Sequence, residues 1–156
     1  MLTWKITERV EGTTNPATRE LEVVSSGERV GLAGSPQLEG KPLVLLQVNC
    51  RSILKKILEF WNLVDPYNLD GITGMESWLR EEINNDEVFR DDYSTFRRER
   101  CTQGGGVFIC VKNYIDCREL WADEDFEMIA IEVKGTDPKF TWEIQGGSNM
   151  TGTVCV

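Results

Sequence analysis

Leu43-Val44-Leu45-Leu46-Gln47-Val48-Asn49-Cys50-Arg51-Ser52 is the stretch on which the fold turns. Residues 43–48 form an apolar run of strand length, and a run so rarely interrupted suits a central strand covered on both faces. Directly after it, Ile53, Leu54, Ile57, Leu58, Trp61 and Val64 recur at helical spacing, with Lys55, Lys56 and Glu59 between them and Ser52 placed as a cap. Asp65-Pro66 stops that helix, because proline pushes the residue before it out of helical conformation. Leu69 to Met75 returns as a second strand, the weaker one by pattern, since Gly71 and Gly74 cost order and add no side-chain packing. Strand, helix, strand is the crossover that joins parallel neighbours.

Outward from this unit the pattern changes twice. Arg80 to Asp92 is charged and reads as a surface loop, with Glu81 and Glu82 solvated. Tyr93 to Arg100 then reads as a strand, Gly104-Gly105-Gly106 as a tight turn and Val107 to Val111 as the returning strand of a hairpin. Cys117 to Trp121, Phe126 to Val133 and Lys139 to Ile144 give three further strands, the middle one with clear period-two alternation. Upstream, residues 1–41 are rich in Gly, Ser, Thr, Pro and Glu and hold too little apolar surface to offset chain entropy, so a disordered leader is expected there. Residues 145–156 lose all periodicity and are expected to be an irregular tail. One domain over residues 42–144 remains.

Composition narrows the function classes. The 156 residues carry a formal charge of −9, more than half of it on residues 101–156. A negative field opposes the attraction to phosphate that supplies most non-specific nucleic-acid affinity, so any such role must rest on a local site. The five cysteines include no Cys-x-x-Cys pair and there is no histidine, which excludes the usual zinc spacings and points to reduced thiols in an intracellular protein, nuclear or cytoplasmic rather than secreted. Neither a signal peptide nor a run of about 18 apolar residues is visible, so no membrane partner is expected. Asn149-Met150-Thr151 fits a glycosylation sequon, which without secretion is a chance match.

Asn49 ends the first strand and Glu76, 27 residues later, ends the second. Ligands of open α/β sheets bind at the carboxyl ends of such strands. One carboxylate and one amide oxygen are hard ligands suited to Mg²⁺, which takes one or two protein carboxylates and leaves the rest to water and phosphate. The plainer reading is that Asn49 caps the helix and Glu76 is a solvated charge. The triple glycine is not followed by the Lys-Ser or Lys-Thr of a phosphate-binding loop, so it is read as a turn. Arg97 and Arg98 must face opposite sides of their strand, so one of them could reach a phosphate or both could line a solvated edge.

Four segments carry a resemblance: Gln47-Val48-Asn49-Cys50-Arg51-Ser52, Met75-Glu76-Ser77-Trp78-Leu79, Phe96-Arg97-Arg98-Glu99-Arg100 and Gly104-Gly105-Gly106-Val107-Phe108-Ile109. In that order they resemble landmarks of the endonuclease domain of non-LTR (LINE-type) retrotransposon polyproteins. That domain belongs to the endonuclease/exonuclease/phosphatase superfamily and is related to apurinic/apyrimidinic endonucleases. The resemblance covers about residues 42–144. It implies an α/β fold of the α+β sandwich type, with this chain supplying an incomplete N-terminal half of a four-layer β-sandwich. It also implies Mg²⁺ as cofactor, DNA as the parent family's substrate, Glu76 as the metal-binding glutamate and Asn49 as the residue orienting metal and phosphate. Arg97 and Arg98 remain candidates for substrate contact.

The same resemblance shows what is lacking. Met75 stands where the family usually has threonine, and the Tyr-containing turn, the Gly-Asp-Phe-Asn segment and the Ser-Asp-His segment do not occur. With them go the transition-state tyrosine, the water-activating aspartate and the catalytic histidine, so no complete catalytic set is expected, only a remnant Mg²⁺ site. The expectation is a truncated, retrotransposon-derived Mg²⁺-dependent DNA endonuclease domain that is catalytically incomplete. The alternatives are a non-enzymatic protein-interaction module, a partner covering an exposed sheet face, and a decayed element with no function.

Overall fold

The structure, a computed structural model, describes residues 3–7, 27–29, 37–38, 41–100, 104–123, 127–135, 140–146 and 154–155. In chain order the elements are β1 (Thr3–Thr7), β2 (Gly27–Arg29), β3 (Gln37–Leu38), β4 (Lys41–Pro42), β5 (Leu45–Asn49), α1 (Ile57–Val64), β6 (Gly71–Met75) and α2 (Asn85–Val88). They continue with β7 (Tyr93–Arg98), β8 (Val107–Lys112), β9 (Cys117–Asp123), β10 (Met128–Val133), β11 (Phe140–Gln145) and β12 (Val154–Cys155). This is a mixed α and β molecule with two principal sheets and few helices. The larger sheet runs β2-β1-β5-β6-β8-β7, the smaller β12-β11-β10-β9, and β3 pairs with β4 alone.

β5 and β6 are parallel, in register from Leu45 opposite Gly71 to Asn49 opposite Met75. Alternation along β5 and β8 explains their continuous apolar runs, because each face meets a different core. Leu46, Val48, Phe108 and Cys110 join Ile53, Phe60, Trp61 and Val64 beneath the helix. Leu45, Val107, Ile109 and Val111 face Ile129, Ile131, Val133, Trp142 and Ile144 of the smaller sheet. The layers are therefore helix and loops, larger sheet, smaller sheet.

Several sequence expectations shift. The helix begins late: Arg51 and Ser52 take left-handed backbone (φ 43° and 76°), Ser52 makes no capping bond, and a 3₁₀ turn over Ile53–Lys56 precedes α1. The buried face is Ile53, Phe60, Trp61 and Val64, while Leu54 and Leu58 are exposed. Arg80 to Asp92 is pinned rather than free, with Val88 and Phe89 buried and the Trp61 indole donating to the Val88 carbonyl at 3.0 Å. Arg90 lies 4.4 Å above the Trp61 ring and forks onto Asp65, whose carboxyl that bond holds below its ordinary range.

Of the expected disordered leader, the described residues are extended, and β1 pairs antiparallel with all five residues of β5. Trp4 and Ile6 alternating with Thr3, Lys5 and Thr7 is the strand signal in that segment. The rest of the leader lies outside the described residues. In the expected tail, Val154 and Cys155 pair with β11. Among the described side chains of the larger sheet, those of β5, β6 and β8 are covered on both faces within the chain, where an uncovered face was expected. No helix among the described residues is long and apolar enough to cross a membrane.

The glycines of β6 have the opposite role to the one their propensity suggests. All five residues of β6 are buried. A Cβ at Gly71 would lie 2.3 Å from the Trp142 ring, and one at Gly74 would lie 2.0 Å from the Phe108 ring. The missing side chains are the slots into which the two aromatic rings fit, one on each face. Phe108 in turn makes edge contacts with Phe60 at 6.0 Å and a tilted contact with Phe89 at 4.8 Å. Overpacking of this kind costs about 1–3 kcal/mol, so Gly74→Ala is expected to lower unfolding free energy by about 3 kcal/mol in urea titration. Phe108→Leu, destabilising alone, is expected to be less so in the Gly74→Ala background, and strict additivity in that double-mutant cycle would contradict the slot.

Candidate functional site at the β5 and β6 strand ends

Past their last paired residues, the chains leaving β5 and β6 stay bonded to each other. Cys50 N–H donates to the Met75 carbonyl at 2.9 Å, Ser52 N–H to that of Glu76 at 2.9 Å, and Ile53 N–H to that of Ser77 at 3.0 Å. Staying in step requires left-handed backbone at Arg51, Ser52, Glu76 (φ 52°) and Trp78 (φ 54°). Each such non-glycine residue costs on the order of 1–2 kcal/mol, and strain of this kind gathers at functional sites. Asn49, the last residue of β5, and Glu76, the first after β6, thus stand at the carboxyl ends of neighbouring strands, one residue out of register with each other.

Their atoms are differently committed. The Asn49 Oδ1 atom is buried and has no hydrogen-bond partner. A buried acceptor left unpaired costs about 1–3 kcal/mol, and a cation or an ordered water would satisfy it; Arg97 Nη1 and Arg98 Nε on β7 are buried without a hydrogen-bond partner as well. Glu76 Oε2 accepts from the Trp78 indole N–H at 2.9 Å and from Gly105 N–H at 3.2 Å. An amide oxygen and a carboxylate fixed on one side by two donors fit a partial hard-cation set. Among the described residues no three His, Cys, Asp or Glu side chains converge as a metal-binding group.

The glycine triplet is where the sequence reading fell short. β7 and β8 do form the expected hairpin, with Arg98 opposite Val107, but their connection spans residues 99–106 rather than a tight turn. Gly104, Gly105 and Gly106 all have positive φ (86°, 78° and 81°). Their backbone lies along the strand ends: Ser77 N–H donates to the Gly106 carbonyl at 3.2 Å and Trp78 N–H to that of Gly105 at 3.0 Å. Consecutive amides then hold two carboxylates, Gly105 that of Glu76 and Gly106 that of Glu127 at 3.0 Å. The triplet cradles anions after all, and they belong to the chain itself. Glu127, 6% exposed, is also ion-paired with Arg100, its Oε1 2.9 Å from Nε. Its only sequence signal was a charge at the start of a mostly apolar strand.

Arg97 and Arg98 stand three strands from Asn49, on β7 at the edge of the larger sheet. Arg97 donates to the Ile83 carbonyl and pairs with Glu99 at 2.5 Å, while Arg98 crosses to Glu119 of the smaller sheet at 3.2 Å. They face opposite sides, as expected, and each is already engaged within the protein. Beside Trp78 an open cavity of about 840 Å³ runs between Ser52, Lys55, Arg80, Glu82 and Arg100. Its lining carries charges of both signs. Compared with models of known protein families and with the curated proteins, the chain matches none.

Cys50, next to Asn49, supplies neither a nucleophile nor a ligand. Burial, followed by the nearby Cys110 thiol, pushes Cys50 far above its ordinary 9.0 despite the opposing pull of Lys56. Burial likewise pushes Cys110 up to about 12. Both thiols stay neutral in the fold but ionise in the unfolded chain near pH 8.5, so their contribution to stability is complete below that pH and falls as pH rises. Urea titrations at pH 8 and pH 10 are expected to show a loss of about 1–2 kcal/mol per thiol per pH unit above that value. In native protein the two thiols are expected to resist alkylation at pH 8.5, and their rapid labelling would contradict the assignment.

Proposed function

We propose that this chain is an endonuclease-like domain of the endonuclease/exonuclease/phosphatase type, derived from a non-LTR retrotransposon, that keeps a Mg²⁺- and phosphate-binding corner and does not cut DNA. The observation that carries the reading is the edge shared by Asn49 and Glu76: Asn49 ends β5 with a buried, unpartnered amide oxygen, and Glu76 follows the neighbouring β6 with a carboxylate held by two donors. The four segments that resemble the family's landmarks add support, because they bring together β5, β6 and the β7–β8 connection around that edge.

In this reading Glu76 and the Asn49 side-chain oxygen would hold the cation, as two hard oxygen donors suited to Mg²⁺. Bound Mg²⁺ would supply charge neutralisation to a phosphodiester. The Trp78 indole and Gly105 amide keep the Glu76 carboxylate from turning away, and the doubled backbone at residues 50–53 and 75–77 fixes the edge on which both residues stand. Hydrolysis further requires a group that activates water and one that protonates the leaving oxygen. Each such group is worth about 10²–10⁴ in rate. The chain has no histidine and no Ser-Asp-His segment, and the Glu76 and Glu127 carboxylates are each held by internal donors.

The test is nicking of supercoiled plasmid in Mg²⁺, wild type against Glu76→Ala. No nicking above the variant is expected. Nicking by the wild type that the substitution abolishes would overturn the inactive part of the proposal, and tight Mg²⁺ binding unaffected by Glu76→Ala would overturn the site.

A further inference from the structure

We propose that Glu127 is the positioning residue of the Glu76 carboxylate, acting across the two sheets through the glycine triplet. The functional consequence, control of cation affinity at Glu76, rests on the reading above; the positioning itself does not. Glu76 directly follows β6 of the larger sheet, whereas Glu127 leads into β10 of the smaller one. Nothing in the sequence pattern joins them, yet adjacent peptide units bind one each: Gly105 N–H to Glu76 Oε2 at 3.2 Å and Gly106 N–H to Glu127 Oε2 at 3.0 Å.

Glu127 is built into this place on every side. Both of its oxygens are used, Oε2 by Gly106 and Oε1 by Arg100, and its own carbonyl accepts from Gly146 N–H at 3.0 Å. Its backbone is left-handed at φ 49°. The surrounding glycines leave room for nothing more. A Cβ at Gly105 would lie 2.9 Å from both carboxylate oxygens, one at Gly146 would lie 2.5 Å from Oε2, and one at Gly106 would lie 2.6 Å from Ser77 Oγ. The carboxylate therefore fixes the height and tilt of the Gly105–Gly106 peptides. Gly105 N–H, one bond path away, is aimed at Glu76 as a result. With the Trp78 indole on the same oxygen at 2.9 Å, Glu76 is held from two directions.

Glu127→Gln probes this with little change in volume. Both neighbours of the side chain, Gly106 N–H and Arg100 Nε–H, are donors, so a glutamine amide satisfies one and turns its own NH₂ against the other. The experiment is a ¹H–¹⁵N spectrum of the full chain, with the indole resonance of Trp78 assigned by Trp78→Phe. In Glu127→Gln, the Gly105 amide and Trp78 indole resonances are expected to shift, Gly105 amide exchange to accelerate at least about tenfold, and the Mg²⁺ dissociation constant to rise about tenfold. If Glu127→Gln does not fold, Arg100→Ala decides by the same resonances, because Arg100 is 54% exposed and its loss frees one carboxylate oxygen. Unchanged Gly105 and Trp78 resonances in the folded variant would overturn the proposal. A wild type that shows those shifts on mutation but binds no Mg²⁺ would sustain the positioning and overturn the cation reading of Glu76.

Discussion

The parallel pairing of β5 with β6 is the constraint from which the rest of the molecule follows. Its register puts Asn49 beside Met75 and carries on past the strands through the Cys50, Ser52 and Ile53 amides. Because the pair lies inside a six-stranded sheet with a core on each face, a shift by one residue would exchange the two cores, sending Leu46 and Val48 toward the smaller sheet and Leu45 toward the helix. The two glycines of β6 lock the same register. Trp142 enters on one face at Gly71 and Phe108 on the other at Gly74, so sheet packing and strand register are set by the same two contacts.

The parts of this arrangement that depend on local pattern were legible in the sequence. The apolar run ending at Val48 and the alternation from Met128 to Val133 each reflect a single element meeting a single environment; the stop at Asp65-Pro66 was only half legible, since α1 ends at Val64 but Asp65 keeps helical backbone and the chain runs on as a 3₁₀ turn over Asp65–Tyr67. What escaped the reading depended on contacts between distant residues. Gly71 and Gly74 read as weak points because their value lies in rings 71 and 34 residues away, supplied by Trp142 and Phe108. Leu54 and Leu58 read as core because helical spacing does not reveal the late start that left-handed Arg51 and Ser52 impose. β1 was hidden by the composition of the segment around it.

The site divides along the same line. Asn49 and Glu76 were legible together because one crossover unit suffices to bring their strand ends to one edge. Glu127 was not, since its role requires the smaller sheet, the β7–β8 connection and three glycines in left-handed conformation to meet. Arg97 and Arg98 were candidates from their opposite faces on one strand and from the resembling segment around them, and their ion pairs with Glu99 and Glu119 tie the β7 edge down. The strained residues concentrate where these elements converge: Arg51, Ser52, Glu76, Trp78 and Glu127 all carry positive φ. Such a concentration costs several kcal/mol in sum, at about 1 kcal/mol or more each, and the two cores must supply it.

The central claim is that Asn49 and Glu76 form one cation-binding corner. The measurement that meets it most directly is paramagnetic broadening by Mn²⁺ of the side-chain amide resonances of the asparagines. Those of Asn49 are expected to broaden at the lowest Mn²⁺ concentration, together with the Trp78 indole, and to be spared in Glu76→Ala, while those of Asn113, beside Asp91, stay sharp. Broadening that begins at Asn113 and leaves Asn49 untouched would show Mn²⁺ collecting on surface acids instead, and would contradict the account.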